Sequence, residues 1–123
     1  FSGLFEELPD LKLVLLHGGG YLPFYCSRAD HTWEVRPETR AYIPDHPPSY
    51  YMKNFFYDTM VFQPLYLRHL IDIVGSDRVM SGTDFPFDMG DGDPMGLIDR
   101  VEGLSDHERN ALKGANAARI FNL

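Results

Sequence analysis

Three short stretches set an ionisable side chain where an apolar run stops. LHGGG at 16–20 brings His17 up against three glycines, FYDT at 56–59 carries Asp58, and SGTDFPF at 81–87 carries Asp84 with Phe85 and Phe87 close behind. An imidazole has an ordinary pKa of about 6.5 and can hold or deliver a proton near neutral pH. A carboxylate is a hard oxygen donor that can meet a divalent cation or a polar substrate. Proton transfer beside such a centre is the chemistry these residues could do, provided the three runs end side by side. Each residue also has a structural reading. Asp84 could cap the turn after Gly82 and Thr83, Asp58 could tie down its loop through side-chain hydrogen bonds, and His17 could be a hydrogen-bonded core histidine. The glycines suit positive φ or a close approach of backbone.

The elements that must position these groups follow from the pattern of apolar residues. A helix is expected over 2–8, closed by Pro9 and Asp10, and a near-continuous apolar strand over 12–16 of the kind covered on both faces of a parallel sheet. Residues 22–34 have helical spacing, with Leu22, Tyr25, Cys26, Ala29 and Trp33 on one side. A second strand is expected over 54–57. Residues 63–74 give the strongest helix pattern: Pro64 suits the first turn, and Leu67, Leu70, Ile71 and Val74 make a stripe closed by Gly75. A third strand over 78–82 is followed by helices over 94–103 and 105–121, the latter opening on Ser105 with Glu108 three residues on, a capping box. Proline and glycine mark 42–50 and 86–96 as long loops. Strict alternation of strands and helices predicts an α/β chain with a parallel sheet and helical crossovers. In such sheets ligands gather at the carboxyl ends of the strands, where His17, Asp58 and Asp84 fall.

Composition narrows the partners. Eleven basic residues against eighteen acidic ones give a net charge of −7 without a Lys/Arg cluster, which argues against nucleic acid. No apolar run reaches the roughly 18–20 residues of a membrane span. The single cysteine, Cys26, forms no internal disulfide and reads as a small buried apolar residue, so a reducing, cytoplasmic setting is expected. His31, His46, His69 and His107 read as surface or packing residues, with His46 close enough to the expected site to touch substrate.

LHGGG, FYDT, SGTDFPF and the closing NAARIFNL at 116–123 resemble, in that order, the last three β/α units of the amidohydrolase-related metal-dependent decarboxylases of the aminocarboxymuconate semialdehyde type. The resemblance spans essentially the whole chain. It implies that residues 1–123 are the C-terminal portion, strands six to eight, of a single (β/α)8 TIM barrel domain. It also implies roles: Asp84 as a metal ligand, His17 as the proton-transfer and substrate-polarising group, and Arg28, eleven residues beyond His17, as a contact to a substrate carboxylate. From its residues alone Arg28 reads as an ordinary helical arginine paired with Asp30 or Glu34. The implied cofactor is a divalent metal ion, zinc foremost and manganese the alternative. Its remaining histidine ligands belong to strands that have no counterpart in these residues.

The implied activity is nonoxidative decarboxylation of a small aromatic or unsaturated carboxylic acid, with Phe85 and Phe87 as an apolar wall that dehydrates the departing carboxylate. Two alternatives stay open: a metal-dependent hydrolase or hydratase of the same superfamily, and an inactive barrel fragment serving as a structural or interaction module. The partners expected are a small-molecule carboxylate and a second copy of the chain in a dimer, contacting through 36–53, together with the missing N-terminal half of the barrel.

Overall fold

The computed structural model describes residues 2–43 and 45–123; Phe1 and, within the loop expected at 42–50, Pro44 lie outside the described residues. Three strands, β1 (Leu13–Leu15), β2 (Phe55–Asp58) and β3 (Val79–Met80), form one parallel sheet in the order β1-β2-β3. Leu15 pairs with Tyr57, and Asp58 with Met80, so all three strands point their carboxyl ends the same way. The helices are α1 (Leu4–Glu7), α2 (Tyr21–Phe24), α3 (Cys26–Val35), α4 (Pro64–Val74), α5 (Pro94–Asp99), α6 (Asp106–Asn110) and α7 (Asn116–Phe121). None of the described helices is long and apolar enough to cross a membrane.

The helix expected from the stripe at 67–74 forms as read. Leu67, Leu70, Ile71 and Val74 are buried against Tyr57, Val79, Leu97, Ile98 and Leu112, and Gly75 ends α4 at φ 95°. Burying one such leucine contributes roughly 1.5–3 kcal/mol, so this face is what fastens the crossover to the sheet. The capping box also forms: the Ser105 hydroxyl accepts the Glu108 N–H at 3.3 Å while Glu108 accepts the Ser105 N–H at 2.8 Å.

Four expectations need correction, two of them for a tertiary reason. The strand expected over 78–82 stops at Met80 because the Ser81 N–H donates to the Leu112 carbonyl at 2.9 Å instead of to a neighbouring strand. The helix expected over 22–34 is two helices, since Tyr25 leaves the helical region at φ −124°, ψ 18°. Its ring then stacks on Tyr21 with centroids 4.6 Å apart. The helix expected over 94–103 ends at Asp99, where the Arg109 guanidinium takes the carbonyls of Ile98, Asp99 and Val101 at 2.8, 3.1 and 3.0 Å. Finally, a wide turn at Ala111–Ala115 separates α6 from α7. The loop at 42–50 runs into a 3-10 segment, Pro48–Asn54, and is pinned to α3 by Trp33 Nε1 on the Ile43 carbonyl and by the Ser49 N–H on Asp30.

Candidate active site

The outer strands deliver their polar residues on left-handed backbone, and the central strand delivers Asp58 as its last residue. After β1 the chain turns left-handed at His17 (φ 57°), Gly18 (φ 61°) and Gly19 (φ 79°). Glycine is required at 18 on two counts, because a Cβ there would also lie 2.3 Å from Val61 Cγ1. His17 has no such excuse, and a non-glycine residue held in that region costs of order 1 kcal/mol or more. Asp84, beyond β3, is left-handed as well, at φ 56°. Backbone strain at both positions marks them as held by their surroundings.

These two, of the four non-glycine residues with positive φ among the described residues, meet. His17 Nε2 lies 3.5 Å from Asp84 Oδ1, with the imidazole 60 % exposed and the carboxylate 23 % exposed. That separation is beyond a well-formed hydrogen bond but within an ion pair. A nitrogen and an oxygen donor so placed suit a divalent cation with its adjoining proton carrier, and the donor types accommodate zinc and manganese alike. Among the described residues no group of three or more His, Cys, Asp or Glu side chains converges.

Asp58, between them, is already committed. Its Oδ2 accepts the His17 N–H at 2.9 Å, and its Oδ1 accepts those of Gly18 at 2.8 Å and Met60 at 3.0 Å. Of its two sequence readings, the loop-tying one describes these contacts. Thr59, which the loop-tying reading pairs with Asp58, accepts the Gly82 N–H on Oγ1 at 3.2 Å. The signal available for it was its place directly after Asp58 at a strand end.

Other candidates are placed as follows. Phe85 and Phe87 follow Asp84 on a loop tied by the Phe87 N–H on the Asp84 carbonyl (3.0 Å) and the Asp91 N–H on the Thr83 carbonyl (2.9 Å). Both rings are exposed and, with Thr83, Gly90, Asp91 and Gly92, they line an open cleft of about 440 Å³. Arg28 is exposed on α3. The pairing expected for it is not formed: Asp30 takes the Ser49 N–H at 2.8 Å and Glu34 faces His31 at 3.6 Å. Cys26 is buried at the start of α3, and burial, with the nearby Asp30 charge, pushes its thiol up to about 11, so it is no nucleophile. His46 stacks on Tyr50, with centroids 3.8 Å apart, and His69 on Phe24, at 5.6 Å.

Comparisons with known proteins show the family. All of residues 1–123 match the family model described as Amidohydrolase, and the chain belongs to that family. It is 34% identical over its whole length to a 2-amino-3-carboxymuconate-6-semialdehyde decarboxylase of Dictyostelium discoideum, covering 34% of that protein. It is also 34% identical over 99% of its length to a gamma-resorcylate decarboxylase of Rhodococcus jostii, covering 37% of it. Among solved structures, a dihydroxybenzoic acid decarboxylase from Polaromonas sp. JS666, with bound manganese and the inhibitor 2-nitroresorcinol, superimposes with a TM-score of 0.82. That match has 29% identity and covers 99% of this chain and 37% of the other. The chain thus spans about a third of the length of these relatives.

Proposed function

We propose that residues 1–123 are the last three β/α units of a single (β/α)8 barrel domain, and that the complete barrel is a metal-dependent nonoxidative decarboxylase of a small aromatic or unsaturated carboxylic acid. The observation that carries this reading is the 3.5 Å approach of His17 Nε2 to Asp84 Oδ1 at the mouth of a parallel sheet, both on left-handed backbone.

Asp84 contributes one carboxylate oxygen to a divalent metal, zinc or manganese, whose other ligands come from strands outside this chain. When bound, the cation anchors substrate oxygens and withdraws electron density from them. His17, exposed and 3.5 Å from Asp84, donates a proton to the carbon bearing the carboxylate. The bond from that carbon to the carboxylate then breaks, its electron pair returns to the unsaturated system, and carbon dioxide leaves. Arg28 is the candidate to neutralise the substrate carboxylate, and Phe85 and Phe87 are the candidates to exclude water as charge disperses. A dimer contacting through 36–53, in the cytoplasm, completes the reading.

The test is an assay of the metal-loaded complete barrel with gamma-resorcylate and with 2-amino-3-carboxymuconate-6-semialdehyde. Carbon dioxide release supports the proposal. Turnover of a lactone or a double bond without carbon dioxide supports the hydrolase or hydratase alternative, and inactivity on all of them supports the structural module.

A further inference from the structure

The central strand contributes no donor to the pair formed by His17 and Asp84, yet its tip grips the backbone that carries each of them. Asp58 is 7% exposed, and both its oxygens face backbone N–H groups. Two of those groups, on His17 and Gly18, belong to consecutive left-handed residues, which present their N–H groups to the same concave side and favour an anion there. The carboxylate therefore stabilises a turn that the residue preference of histidine opposes. On the other flank Thr59, fully buried, holds the Gly82 N–H, two residues before Asp84. Gly82 also packs directly on Asp58, where a Cβ would stand 2.9 Å from that residue's Cβ. A displacement at 58 is transmitted to His17 and Gly18, and one at 59 to the chain leading to Asp84.

We propose that Asp58 and Thr59 are positioning residues that set the separation of His17 from Asp84, a role that rests on the assignment of those two groups to the reaction. Asp58 fixes the left-handed turn that aims the imidazole. Thr59 fixes the path of the chain toward the carboxylate. Neither reaches substrate, because their polar atoms are turned to backbone. An asparagine at 58 keeps the shape but has a single acceptor oxygen: with that oxygen on the Gly18 and Met60 N–H groups, its NH2 group faces the His17 N–H, so the grip on His17 is lost while the fold of the strand is kept. A displacement on the order of 1 Å at a reacting group lowers a rate about 100-fold.

The experiment uses the metal-loaded complete barrel with Asp58→Asn, alone and combined with His17→Ala, following carbon dioxide release from the two acids named above together with metal content. The expected result is a kcat about 100-fold lower with KM within about threefold and metal unchanged, and no further loss when His17 is already alanine. Losses that multiply in the double variant, or a single variant within threefold of the parent, overturn the proposal. A His17→Ala protein of unchanged kcat overturns instead the assignment of His17, and the clamp with it. Amide hydrogen exchange gives a readout that needs no substrate: Asp58→Asn speeds exchange at His17 at least tenfold and leaves the α4 amides unchanged. Unchanged protection at the His17 amide overturns the proposal. Should Asp58→Asn not fold, Thr59→Val, which keeps the volume and removes the acceptor, lowers kcat about tenfold while Thr59→Ser restores it. Equal rates for the valine and serine variants are the contrary outcome.

Discussion

At the tip of β2 the carboxylate of Asp58 meets three backbone N–H groups at 2.9, 2.8 and 3.0 Å. Beyond β3 the carboxylate of Asp84 meets none among the described residues and faces His17 Nε2 at 3.5 Å. The residue type is the same, and both lie at the carboxyl end of the sheet. What differs is the count of donors aimed at each side chain, and that count decides availability. A buried carboxylate satisfied by backbone is a structural part, because stripping its N–H partners would leave three polar groups orphaned. A carboxylate held on a strained backbone, with only an imidazole near it, has its acceptor sites open toward the mouth of the sheet.

The contrast is broken most severely at position 84. Asp84→Asn keeps the side-chain shape, and asparagine accepts left-handed backbone readily, so the fold should be undisturbed. We expect bound metal to fall sharply and activity to drop by more than about 1000-fold, since several kcal/mol of charge stabilisation disappear. Elemental analysis of the purified variant beside its rate decides the matter, and metal retained at the parent level rejects the ligand role. His17→Ala should be the next largest: a loss of about 100- to 10,000-fold in rate, the usual contribution of a positioned proton donor, with metal largely kept. The two variants together separate holding the cation from moving the proton.

Much of the frame could be read from residues alone, because it depends on local or periodic features. The buried stripe of α4, the glycine ending it and the Ser105 and Glu108 box are all set by spacing within one element. The glycines at 18 and 19 were legible as positions of unusual backbone. What escaped is decided between elements. Arg109 ends α5 from a distance, and Leu112 takes the N–H that would have lengthened β3. For the same reason Asp58 and Asp84 looked alike in the sequence. Residue type states that an oxygen is present, and only the packed chain states how many N–H groups reach it.

A residue remote from the strand tips gives the comparison its control. Leu70 is fully buried in the α4 stripe, and Leu70→Ala should destabilise the protein by about 2–5 kcal/mol through lost transfer energy and a cavity. Denaturant unfolding measures that loss. The folded fraction should turn over substrate at the parental kcat. A kcat that falls in step with stability would mean that the site depends on the core as a whole, and the distinction between frame and tips would fail.

Ser105→Ala is the smallest effect and the one with a defined dependence on pH. Removing the hydroxyl deprives the Glu108 N–H of its acceptor and should lower stability by about 1 kcal/mol near neutral pH. The Ser105 backbone N–H and hydroxyl also hold the Glu108 carboxyl below its ordinary value of 4.5. A carboxyl depressed in the folded state stabilises that state above its unfolded pKa, and the contribution fades as pH falls through the folded one. Parent and variant should therefore differ most above pH 4.5 and draw together on acidification, because the parent alone loses the hydroxyl contact to the carboxylate. Paired denaturation curves at neutral and acid pH test this, and a gap that widens toward acid would show that the cap acts through something other than the Glu108 charge.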